Sequence, residues 1–248
     1  PMENTDWGIR FRGQLSMQGL DWALVDPGSA MLGSNDRSIL RGGIGPRHQV
    51  KISESFEITR HPVSPEIALE MIKSGEAELA SESEWAVSKA QGLIHAEPGT
   101  VETLADSVSN YWGKPCDGRP YIGNGEITAR RVRVWSERGI LESTRPIKMA
   151  DSYPLRLVRR PSKYSGTPIQ LPRAGDNTRI LKQEAVICLL AGILPSFIWA
   201  WFNASPGYIA EGWLNLVMGG VFIGLSTAIL WRPKTPTYIQ TDSGWKLE

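Results

Sequence analysis

Ala185–Phe202 reads AVICLLAGILPSFIWAWF and Gly212–Trp231 reads GWLNLVMGGVFIGLSTAILW, and neither run carries a charged residue. At about 1.5 Å of rise per residue, each would make a helix roughly 27–30 Å long, the thickness of a bilayer's hydrocarbon core. A soluble helix of this length keeps charged residues on its outer face. These do not, so both runs are expected to span a membrane. Trp199, Trp201, Trp213 and Trp231 crowd the ends of the runs, where the amphipathic indole favours the interface. Pro195 lies inside the first run and is expected to kink it, freeing one backbone carbonyl. In the second run Gly220 and Gly224, four apart, give a small-residue face that admits another helix. That helix is either the chain's own first span or one from another molecule.

Working outward, the link from Asn203 to Glu211 has no Lys or Arg, whereas Arg156, Arg159, Arg160, Lys163, Arg173, Arg179 and Lys182 precede the first span and Arg232 and Lys234 follow the second. The positive-inside rule then places both flanks in the cytoplasm and the link outside, a two-span hairpin. The opening residues PMENTDWGIRFRGQL hold charges where a signal peptide needs an apolar centre, so no export of residues 1–150 is expected. Neither run contains an ionisable residue, which argues against a transport path.

The 248 residues carry a formal charge of +1 and two cysteines, which excludes both a disordered charged chain and a disulfide scaffold. Acidic residues outnumber basic ones up to residue 150, and the basic excess is concentrated at 151–182. Arg156, Arg159, Arg160 and Lys163 are accordingly candidates to face anionic lipid. With few aromatics interleaved, this basic run does not read as a nucleic-acid surface. The expected organisation is a globular domain at 1–161, a basic Gly/Pro-rich linker at 162–182, the hairpin at 183–235 with spans 185–202 and 212–231, and a polar tail at 236–248.

Within the globular part, DWALVDPGSAMLG (21–33) reads as a strand interrupted by the Pro27-Gly28 turn, and QVKISESFEIT (49–59) alternates as a half-buried strand does. Ser64-Pro65-Glu66 should open a helix that stops at Gly75, and Ser81 with Glu84 forms a capping box for a second helix. Arg130–Trp135 and Leu155–Val158 are the last expected strands. Short helices, short strands and long irregular connections make an α+β domain.

Six segments in order resemble the formylglycine-generating enzyme family, also called the sulfatase-modifying factor domain, whose fold is related to C-type lectins. They are PGSAMLGS (27–34), GPRHQVKISESFEITRHPVSPE (45–66), LASESEWAVSKAQG (79–92), VETLADS (101–107), VRVWS (132–136) and PLRLVRR (154–160). The third is similar to the family's Leu-Pro-Thr-Glu-x-Glu-Trp motif. The resemblance implies an α+β, C-type-lectin-related fold, and in catalytic members a copper-dependent oxidase that uses two cysteines between the Gly-Gly-Ser-Trp segment and the closing strand. Thiolates are soft ligands that select Cu(I), but the interval Ser136–Pro154 has no cysteine here. Cys116 lies earlier and Cys188 lies in the first span, so no shared metal site is expected.

The remaining catalytic candidates are Cys116, whose pKa Lys114 and Arg119 would lower, and Trp135 and Ser136, which match the neighbourhood of the family's Gly-Gly-Ser-Trp segment although its two glycines are missing. His48, His61 and His95 have no ligand spacing, and His48 reads as a structural histidine. Glu82, Glu84 and Trp85 read as framework. No cofactor is expected, copper entering only if the chain is a divergent oxidase or another protein-modifying enzyme. The leading expectation is a membrane-anchored, non-catalytic domain that binds a protein or peptide partner, with assembly into a membrane complex or homo-oligomer through the spans.

Overall fold

The structure is a computed structural model and describes residues 19–123, 125–160, 164, 167–241 and 244–248. It is a mixed α+β chain with three sheets and two long apolar helices. In chain order the elements are β1 (Trp22–Val25), β2 (Gly28–Leu32), β3 (His48–Ile52), β4 (Phe56–Thr59), α1 (Pro65–Ser74), β5 (Glu78–Leu79), α2 (Glu82–Ala90), β6 (Val101–Thr103), β7 (Ala129–Ser136), β8 (Gly139–Pro146), α3 (Ile147–Ala150) and β9 (Leu157–Arg159). There follow α4 (Asn177–Ile187), a π-helical stretch (Cys188–Ile193), α5 (Leu194–Asn203), α6 (Pro206–Ser226), a 3₁₀ turn (Thr227–Ile229), β10 (Tyr238–Thr241) and β11 (Gly244–Leu247). The sheets are ordered β1-β4-β9-β5, β11-β10-β3-β2 and β6-β7-β8.

The strands at 22–32 break at Pro27 and join different sheets, β1 pairing antiparallel with β4 and β2 with β3. Alternation in β3 buries His48, Val50 and Ile52. Those residues meet Trp85, Val87, Leu104 and Tyr111 in one core, and a smaller core gathers Val63, Ala68 and Leu157 under α1. Helix α1 ends at Gly75, whose φ of 78° is left-handed and suits glycine. Ser64 precedes it but makes no side-chain cap bond. Helix α2 has the full capping box expected of Ser81 and Glu84: the Glu84 backbone N–H donates to Ser81 Oγ at 3.1 Å, and the Ser81 N–H donates to Glu84 Oε2 at 2.8 Å.

Three differences from the sequence reading concern edges. Strand β8 has no counterpart in the sequence reading, because as the outer strand of its sheet it buries none of its residues fully and lacks an apolar alternation. The stretch before α4 reads as a basic Gly/Pro-rich linker, and within it Leu171 is buried and the backbone of 169–172 bonds to that of 113–116. The polar tail forms the hairpin β10–β11, and β10 lies parallel to β3 with Tyr238 opposite His48. Its Trp245 indole donates to the Gln170 carbonyl at 3.0 Å.

Two helical stretches, Asn177–Asn203 and Pro206–Ile229, are long and apolar enough to cross a membrane. Only 17% of the most apolar window of each is buried, so most of their large apolar side chains, Trp199, Trp201, Phe202, Trp213 and Phe222 among them, are exposed, unlike those of a soluble core helix. Ser205 caps α6, its Oγ accepting from the Tyr208 N–H, and the connection between the helices shrinks to Ala204 and Ser205. Instead of a simple kink at Pro195, the first helix winds as a π-helix over Cys188–Ile193, directly before the proline whose missing N–H breaks the ordinary ladder.

The small-residue face is filled by the chain itself. A Cβ on Gly220 would lie 2.5 Å from the Ile193 Cα, and one on Gly224 would lie 2.6 Å from the Cys188 Cα. Both values are shorter than real Cβ contacts, so the two helices touch backbone to backbone. At the end of the second helix Arg232 is buried, bonds both Glu184 oxygens at 2.9 Å, and donates to the terminal carbonyls of Gly224 and Leu225. Arg37, from a domain loop, joins Glu184 at 3.3 Å.

Candidate functional site

The acids of the ESEW segment are framework. Glu82, at the start of α2, is fully buried, and its Oε1 accepts from Arg131 Nε and an Arg133 guanidinium nitrogen, both at 2.8 Å. Its Oε2 accepts from the Tyr111 hydroxyl at 3.0 Å. Burial alone would raise this carboxyl, but the guanidinium groups of Arg133 and Arg131 and the Lys114 ammonium overcome it and hold the pKa at about 2. Glu84 takes Arg160 bidentately, at 2.7 and 2.8 Å, and the Tyr164 hydroxyl at 2.7 Å.

Glu102 of β6 forms a second node. Both indoles, Trp85 at 2.7 Å and Trp135 at 2.6 Å, donate to its Oε1, and Arg156 donates to its Oε2 at 2.5 Å. Asp106 forms a third, accepting from Lys114 Nζ and the Glu82 N–H at 2.7 Å and from the Tyr121 N–H at 3.1 Å. Four buried carboxylates thus face Lys114, Arg131, Arg133, Arg156 and Arg160. Buried charge persists only when paired in this way.

Against this frame the sequence candidates fall in separate places. Trp135 is a core residue bound to Glu102, while Ser136 sits at the β7–β8 turn with its hydroxyl donating to the Gly139 carbonyl at 2.6 Å. Cys116 is buried, and burial pushes its thiol up to about 12 despite the neighbouring Lys114. This reverses the expectation of a lowered pKa, because the cost of burying the thiolate outweighs the pull of the Lys114 ammonium, itself paired with Asp106. Cys188 packs against Gly224 in the apolar hairpin. Among the described residues no group of His, Cys, Asp and Glu is placed to hold a metal ion.

The lipid-facing reading of the basic residues is likewise corrected for Arg156 and Arg160. Arg156 is fully buried on Glu102, and the Arg160 side chain, 8% exposed, is held by Glu84 and Glu78. Arg159 is partly exposed and stacks over the Trp22 ring at 4.2 Å. Lys163 lies outside the described residues. His48 is buried as expected of a structural histidine, its Nδ1 2.9 Å from the Pro46 carbonyl and its ring edge-on to Tyr111. Burial pushes its pKa down to about 4.

The feature that sequence reasoning missed is a cleft of about 830 Å³. Its walls are the loops at 107–113, 121–123 and 126–129 and the segment 170–177 that leads into α4. Into it face the groups of Ser107, Asn110, Trp112, Tyr121, Glu126 and Arg173. The loops are fixed from below: Asp106 holds the Tyr121 backbone, the Tyr121 hydroxyl donates to the Trp112 carbonyl at 2.5 Å, and the Trp112 N–H donates to Asn110 Oδ1 at 3.0 Å. Hydroxyls, amides, two aromatic faces, one carboxylate and one guanidinium can hydrogen-bond and stack against an extended polar ligand. The signal available in the sequence was Trp112, a large aromatic within the turn-rich run SNYWGKP.

No family model matches the chain, and no curated protein matches it. Among solved structures the chain is similar to that described as the structure of PvdO from Pseudomonas aeruginosa, at 13% identity and a TM-score of 0.35, covering 56% of this chain and 93% of that one.

Proposed function

We propose that the chain is a membrane-anchored, non-catalytic binding domain on a scaffold of the sulfatase-modifying-factor type, and that its cleft takes a peptide segment of a protein partner on the cytoplasmic face. The observation that carries this reading is the cleft itself: a preformed polar groove with aromatic walls, set over a frame whose buried carboxylates are all consumed by cations. The enzymatic alternative, a divergent oxidase using Cys116, loses support from the burial of that thiol and its raised pKa.

Anchoring is supported by the outward-facing apolar side chains of the two long helices. A hairpin is supported by β10, which shares a sheet with β2 and β3, so the chain must come back to the side it left and cross an even number of times. The positive-inside bias favours the cytoplasm for that side, and it acts on the nascent chain, so Arg156 and Arg160 still count although the fold later buries them.

The test is selection from a random-peptide display library on the full chain in lipid nanodiscs. Selected peptides should lose binding to the Trp112→Ala and Arg173→Glu variants while still binding Leu24→Ser, altered at an exposed position of β1 that does not line the cleft. Peptides that bind all three variants equally, or the recovery of no peptide, would refute the cleft as a peptide site.

A further inference from the structure

The loop Asp36–Gly42 carries Ile39 and Leu40, which are 71% and 66% exposed. Two adjacent apolar side chains held in the open on an ordered loop are costly in water. Their position gives them a solvent. The Ile39 N–H donates to the Ala228 carbonyl at 2.8 Å, and the Leu40 N–H donates to the Ile229 carbonyl at 3.1 Å. These carbonyls belong to the last turn of the second apolar helix, where the helix has no N–H of its own to offer. The uncharged run continues to Trp231, so Ala228 and Ile229 lie inside its end, by roughly 3 to 5 Å at the rise of a helix.

The neighbours grade from apolar to charged in the same direction. Leu230 and Trp231 are exposed beside the loop, 69% and 60%, and Arg41 and Lys234 come next, both close enough to act on the Asp36 carboxylate. Arg37 fastens the loop's other side to Gln183 at 2.8 Å, to Glu184 and to the Pro233 carbonyl. The loop is therefore tied to the end of the second long helix and to the first at Gln183 and Glu184, the level where each enters or leaves its apolar stretch.

From this continuity we infer that Ile39 and Leu40 insert into the lipid on the domain side of the bilayer, making a third, non-spanning anchor that fixes the globular domain against the membrane surface. The occupant is lipid acyl chain at the interface. The inference rests on the reading of the two long helices as membrane spans, and it adds that the domain is docked on the bilayer and does not swing freely above it. It also places the 170–177 wall of the cleft, which runs directly into α4, next to the membrane surface.

The experiment uses the full chain, with Cys116 and Cys188 replaced by alanine, reconstituted into phosphatidylcholine–phosphatidylglycerol vesicles. A nitroxide is attached in turn at Leu40→Cys, Ile39→Cys, Phe222→Cys and Leu24→Cys, and its relaxation by oxygen and by a water-soluble nickel chelate is measured. Labels at 39 and 40 should behave like the label at Phe222 on α6, relaxed by oxygen and shielded from nickel, and unlike the label at Leu24. Labels at 39 and 40 that follow Leu24 while Phe222 remains shielded would overturn the inference and leave the spans intact. A label at Phe222 open to nickel would instead overturn the membrane reading on which it rests.

Discussion

Glu102 shows how single side chains hold this domain together. Its carboxylate takes two indole N–H groups and one guanidinium with no exposed surface. Glu102→Gln keeps the size and removes the charge, leaving Arg156 buried without a counterion. The expected cost is about 3–5 kcal/mol, as for other broken buried pairs, with part recovered when Arg156→Met is added. Denaturant titration of the detergent-solubilised chain checks both values. His48 and Glu82 both make the fold sensitive to acid. The His48 pKa falls from 6.5 to about 4 on folding. The native state therefore resists a proton that the unfolded chain accepts, and stability drops as pH falls from about 6.5 to 4. Glu82, lowered from 4.5 to about 2, adds a second loss of the same sign between those values. In His48→Gln the decline of the thermal midpoint between pH 6.5 and 4 should flatten, while the drop below pH 4.5 remains.

Among the elements, the hairpin of long helices depends on close backbone approach. Gly220 has no room for a Cβ, whereas one on Gly219 would meet nothing within 4 Å. Gly220→Ala should then cost about 1–3 kcal/mol through forced separation of the helices. Gly219→Ala, one position away and with a better helix former, should be neutral or slightly stabilising. Thermal unfolding of the two variants in detergent separates them, and equal effects would contradict the packing. Helix α2 shows the opposite case, an element written locally. Ser81 and Glu84 specify its start before any tertiary contact exists. Strand β8 has no such local mark: none of its residues is fully buried, and its pairing with β7 is what makes it a strand.

For the whole molecule, the C-terminal hairpin on β3 means that the chain leaves the domain, traverses the two long helices and returns to it. With the helices in a membrane, a cysteine placed at Ala204 and one placed at Lys246 must lie on opposite sides. In intact cells an impermeant thiol reagent should label Ala204→Cys directly and Lys246→Cys only after permeabilisation. Labelling of both without permeabilisation would break the hairpin topology. The same return path explains why Leu171 and Trp245, far apart in sequence and in stretches that read as linker and tail, meet the domain core together.

The apolar runs, the capping box of α2 and the alternation within 49–59 were legible from residue order alone, because each depends on neighbours within one or two turns: absence of charge, a serine three before a glutamate, alternation of two. Residues 49–59 read as one strand, however, and the fold divides them into β3 and β4, which pair in different sheets. Long-range partners were not legible. Nothing local in PLRLVRR tells that Arg156 ends on Glu102 and Arg160 on Glu84, so a basic run that looked fit for lipid became the interior of the domain. The cleft was hidden for the same reason: its walls come from three irregular segments that only folding brings together. Burial then decided the chemistry, raising the Cys116 thiol and binding each interior acid to a cation, since a charge removed from water survives only beside its opposite.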